Sequence, residues 1–228
     1  MSARENSLET YQPAGRLVPV LAASEGADAT GLALRMGRVA ASRGETVLIL
    51  DGRDGEVMDR AGVVYARTLG QAIAGGCALR DCMYITANEH FSIAALGKTP
   101  LGEAVGTFAS LSLDYDWVFA VPDAGLAQAT ARLAAGSDAA VLAYETGSDL
   151  FMRAYWMIDA IRARNARFDP HTVSFGDAAD AVETALLLEA TVRDHLGASP
   201  IYAGHESDRD RVETLLASMR EHCERQAA

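Results

Sequence analysis

A run of small and acidic residues, Ser24-Glu25-Gly26-Ala27-Asp28-Ala29-Thr30-Gly31, lies between an apolar stretch, Leu17 to Ala22, and a helical one, Leu32 to Arg43. Strand, small-residue loop and helix in that order can cradle phosphate, because free backbone N–H groups at the helix start face the anion. The chemistry needs two side chains as well: a lysine for the β- and γ-phosphates and a Ser or Thr for Mg²⁺. Thr30 supplies the hydroxyl, but the lysine position holds Ala29. Glu25 and Asp28 add carboxylates where phosphates would lie. At about 4 Å each would oppose a phosphate by roughly 1–4 kcal/mol. A second strand, Thr46 to Leu50, ends on Asp51. The pattern predicts a phosphate loop whose architecture is kept and whose chemistry is removed.

Lys98 is the single lysine among 20 basic residues. Gly97-Lys98-Thr99 has the ending of a phosphate loop, but the earlier glycine would fall at Ser92 and Pro100 follows at once. An exposed loop lysine accounts for it; reach into the first loop from a distance is the alternative.

The elements that must position these residues alternate. Helical stretches are predicted over Thr68 to Ala74, Leu101 to Leu111, Ala127 to Ala135, Leu150 to Ala166, Ala178 to Leu196 and Asp208 to Ala227. Strands are predicted over Cys82 to Thr86, Phe91 to Leu96, Trp117 to Val121, Ala139 to Tyr144, His171 to Phe175 and Ser199 to Gly204. Thr146 to Asp149 offers a helix N-cap, and Gly197 a C-cap. This order predicts an α/β fold: a doubly wound, mostly parallel sheet with helices on both faces. Residues 1–15 read as a flexible polar segment and 16–228 as one domain. The last helix carries Val212, Leu215, Leu216, Met219 and Cys223 on one stripe, for packing on its own domain or for a partner or lipid surface.

Composition excludes several classes. With half of its 228 residues hydrophobic, the chain is globular. No apolar run reaches the roughly 18 residues of a membrane span, and no secretory leader is visible. A net charge of −11 argues against direct nucleic-acid binding and against adsorption to anionic lipid. The basic run Arg162 to Arg167 is read as completing a helix C-terminus. Cys77, Cys82 and Cys223 form no C-x-x-C pair, so free thiols in a cytoplasmic setting are expected. The five histidines have no ligand spacing, and no metal is expected.

With these residues in hand, the chain from about Arg16 to Gly204 resembles the MinD/ParA group of P-loop ATPases with a deviant Walker A motif. That family's loop reads K-G-G-x-G-K-[ST]. Its signature lysine falls on Ser24 and its phosphate-binding lysine on Ala29, while Gly26 and Thr30 match. The family's D-x-D keeps Asp51 but has Arg53 second. Its D-x-P-A-G segment corresponds to Val121-Pro122-Asp123-Ala124-Gly125, so Val121 stands at the Walker B aspartate. Glu145 and Thr146 resemble the start of the loop bordering the nucleotide base.

The resemblance implies a pseudo-ATPase, not an enzyme, with ATP and Mg²⁺ binding weak or absent. It would act as a regulator or scaffold of bacterial cell-pole, flagellar or division positioning through protein partners, itself included as a homodimer, with membrane association at most indirect. Recruitment to an inner membrane or pole would then come through a partner. Two alternatives stand beside it. One is a degenerate relative of tyrosine autokinases in polysaccharide export, which share this fold and, with the MinD group, the region that Thr68 to Asp81 resembles, although no tyrosine follows Tyr202. The other is an active ATPase with an atypical loop.

Overall fold

A computed structural model describes residues 15–86, 89–147 and 150–227. Its sheet holds eight strands: β1 (Arg16–Ala22), β2 (Val47–Gly52), β3 (Tyr84–Ile85), β4 (Ser92–Ala95), β5 (Trp117–Pro122), β6 (Val141–Glu145), β7 (His171–Phe175) and β8 (Ile201–His205). Their spatial order is β3-β4-β2-β5-β1-β6-β7-β8, parallel but for the edge pair β3 and β4. The central strands are apolar along their whole length because both faces are covered.

Alternate residues of each strand feed opposite cores. Val18, Val20, Ile49, Phe119 and Val141 face one side, covered by α1 (Ala29–Ser42), α2 (Glu56–Arg60) and α8 (Arg211–Ala227). Leu48, Leu50, Val118 and Ala120 face the other, under α3 (Leu69–Ile73) and α4 (Leu101–Leu111). Further along that face Leu21, Leu142 and Tyr144 meet α5 (Gln128–Ala135), α6 (Phe151–Arg162) and α7 (Ala181–Leu196). This is the doubly wound sheet that the alternation predicts.

Several local expectations change. Helix α2 is an element that apolar spacing does not predict; it follows Gly55, whose φ of 99° is open to glycine. The strand expected over Cys82 to Thr86 shrinks to two residues behind a 3₁₀ turn, Leu79–Cys82. Helix α6 ends at Arg162, not Ala166. Asn165 leaves the helical path and donates its side-chain amide to Ala135 O at 3.0 Å. Arg164 serves the helix end, donating to Ala160 O at 2.8 Å, whereas Arg162 donates beyond it, to Phe168 O, also at 2.8 Å. Gly197 caps α7 at φ 61°, as expected. The N-cap expected for α6 falls partly on Ser148 and Asp149, outside the described residues. So does the N-terminal segment except Gly15, where any Cβ would collide with the carbonyls of Ser112 and Tyr115.

Candidate functional site

Loop 24–30 follows β1 and so stands at the carboxyl ends of the strands. Ala27, Ala29 and Thr30 are buried, and the Thr30 hydroxyl has no hydrogen-bond partner among the described residues. Asp28 is the N-cap of α1, its carboxylate accepting from Gly31 N–H at 2.9 Å. It thereby takes one of the donors that a bound anion would use. Asp28 is also clasped by Arg60 of α2, Nη1 on Oδ1 and Nη2 on Oδ2, the second at 3.2 Å. Burial pushes the Asp28 carboxyl up, but the Arg60 hydrogen bond, the Gly31 N–H and the charges of Arg60 and Arg35 outweigh it and hold it below its ordinary value.

The other loop carboxylates are paired too. Arg53, its side chain 11% exposed, bridges Glu25 and Glu56, each at 2.8 Å. Ser24 donates to Glu145 at the end of β6, and a Cβ on Gly26 would collide with that same carboxylate. Glu145 therefore lies directly against Ser24 and Gly26 of the loop. Thr146 turns away and accepts from Asp177 N–H at 2.9 Å, beyond β7.

Asp51 explains why α2 is present. It is fully buried at the end of β2 and accepts from Arg53, Val57 and Met58 N–H at 2.9, 3.0 and 3.1 Å. These contacts fix the turn and the first helical N–H groups, so α2 holds Arg60 against Asp28. Desolvation raises the Asp51 pKa although the backbone donors oppose it. Val121, on β5, lies directly beside Asp51 in the sheet.

Three solved structures share this architecture. The cell division ATPase MinD of Pyrococcus furiosus superposes with a TM-score of 0.67 over 89% of this chain and 88% of its own, at 16% identity. The MinC:MinD cell division complex of Aquifex aeolicus gives 0.66 over 93% and 96%, at 14% identity. The fold is that of the MinD/ParA ATPases. The kinase domain of the Escherichia coli tyrosine kinase ETK also superposes, with a TM-score of 0.59 at 14% identity. That match covers 67% of this chain and spans 64% of the kinase domain. No protein-family model matches the sequence, and no curated protein matches it by sequence.

Within the MinD/ParA fold, the remaining motif residues separate. Asp123 is exposed, and Gly125 N–H bonds back to Ala22 O at 2.8 Å, folding the segment after β5 over the end of β1. Lys98 is exposed in the turn between β4 and α4 and lines a cleft with Asp54 and Asp123 that no residue of loop 24–30 borders. Sequence reading missed the roles of Glu56 and Arg60. Their i, i+4 spacing after Gly55 was the available signal. It also missed the contact of Glu145 with Gly26, which depends on how β1 and β6 pair.

Proposed function

We propose that this chain is a pseudo-ATPase of MinD/ParA fold that acts by binding other proteins in cell-pole, flagellar or division positioning, and not by turnover. The observation that carries the reading is Asp28. Its carboxylate takes a helix N-terminal donor and pairs with Arg60, so the chain supplies its own anion where phosphate would bind. Glu145 against Gly26 and the pairing of Arg53 with Glu25 support it further. Thr30 alone matches the Mg²⁺ side, with Val121 where the resemblance calls for a carboxylate. A triphosphate would have to displace internal ion pairs with no lysine in the loop to offset its charge.

The segment after β5 is the proposed partner face; its Leu126 is 53% exposed. The likeness to a MinC:MinD complex is consistent with a protein partner, and a second copy of this chain is another candidate. The test is calorimetric titration with Mg-ATP and Mg-ADP. No saturable heat is expected below about 1 mM nucleotide, and a micromolar dissociation constant, about −8 kcal/mol, would overturn the reading. Ala29→Lys is expected not to restore binding, because Ala29 is buried and Asp28 and Glu25 remain.

A further inference from the structure

The cleft beside Lys98 lies at the carboxyl ends of β2, β4 and β5 and has a volume of about 430 Å³. Doubly wound sheets bind ligands outside the carboxyl ends of their strands. Two helices begin on its wall, α4 at Pro100 and Leu101 and α5 at Ala127 and Ala129. Neither has a side-chain cap among the described residues. The two first turns are side by side: a Cβ on Gly102 would lie 3.9 Å from that of Ala129. Each uncapped start presents free N–H groups and about half a positive charge, so two starts together repel unless an anion joins them.

Two side chains extend this field. Lys98 lines the same cleft. Thr130 also lines it, is 2% exposed, and its hydroxyl makes no hydrogen bond to another described residue. Asp54 and Asp123 line the cleft too and, like Lys98, are exposed, so water screens all three, while Glu103 of the first α4 turn does not line it. The donors that water screens least are the two helix starts and the buried Thr130 hydroxyl, which fits a compact anionic group bound with modest affinity.

We propose that this cleft is an oxyanion site. It takes the phosphate or carboxylate group of a small molecule, held by the first-turn N–H groups of α4 and α5, the Thr130 hydroxyl and Lys98. This site is separate from loop 24–30 and goes beyond the pseudo-ATPase reading.

Amide NMR shifts during titration with inorganic phosphate, and separately with malonate, test it. Saturable shifts are expected at Leu101, Gly102 and Gln128 to Thr130 with a dissociation constant in the millimolar range. The anion that binds tighter identifies the source as phosphate or carboxylate. Lys98→Ala, at an exposed position, and the near-isosteric Thr130→Val should each weaken binding about three- to ten-fold. Asp28→Asn should leave it unchanged. No saturable shift with either anion, or affinity indifferent to both cleft variants, would overturn the proposal. So would shifts confined to residues 24–31. Shifts of Ala27 to Gly31 with Mg-ATP would instead count against the pseudo-ATPase reading and leave this site standing.

Discussion

Asp28 caps α1 and receives the Arg60 fork, so one carboxylate settles both a helix terminus and a guanidinium. An N-cap contributes about 1 kcal/mol, and a partly exposed ion pair adds about 0–1 kcal/mol. Asp28→Ala should therefore lower stability by about 1–2 kcal/mol in urea denaturation, and Asp28→Asn by less, since asparagine still caps. Equal losses for both variants would place the stabilisation in the charge and not in the cap. Because the Asp28 pKa is depressed, its charge-linked share is present above the ordinary aspartate value of 3.8 and is lost as pH falls through the lower folded one. The sequence made this carboxylate visible as an oddity of the loop. Its partner was not visible, because Arg60 lies 32 residues away on a helix that the turn at Gly55 creates.

Helix α8 shows where an element's role depends on its neighbours. Its apolar stripe is legible from spacing alone, but the same stripe could serve a core or a partner. Leu215, Leu216 and Met219 are fully buried against the core shared with α1, which removes the stripe from the candidate partner surfaces. Arg220 fastens the helix to Glu45 at 2.6 Å and stacks over Trp117 with its Cζ 5.9 Å from the ring centroid. Leu215→Ala should cost about 2–5 kcal/mol in denaturant unfolding, the range for an emptied core site. A loss below about 0.5 kcal/mol would mean that α8 does not pack there. Helix α2 is the opposite case. Its five residues carry too little periodicity to read, and the buried acceptor Asp51 organises them through backbone N–H groups.

At the scale of the whole molecule, stability is tied to pH through His171, fully buried on β7 beside α8. Desolvation, with help from His222 and Arg225, lowers its pKa from 6.5 to about 4. Desolvation and Arg225 lower His222 too. Between those limits the unfolded chain takes up a proton that the folded one refuses. Stability is thus full above about pH 6.5 and falls as pH drops toward 4. The His171 share comes to about 3 kcal/mol at 1.36 kcal/mol per unit. His171→Gln should flatten that slope in unfolding measured at pH 7, 5.5 and 4. An unchanged slope would place the proton uptake elsewhere.

Order, type and much of the extent of the main strands and helices followed from the sequence, because apolar period and turn chemistry are local. So did the loop at the carboxyl end of β1, since a strand, small residues and a helix can be joined there in few ways. What the carboxylates of that loop do was decided only in three dimensions. Glu145 reaches Gly26 because β1 and β6 are neighbours, and Arg60 reaches Asp28 because Asp51 winds α2. The cleft of Lys98 needed the packing of α4 on α5, which brings two helix starts together across 27 residues of chain, from Leu101 to Gln128. Electrostatic pairing acts over a few ångströms, and only the tertiary fold determines which charges come that close.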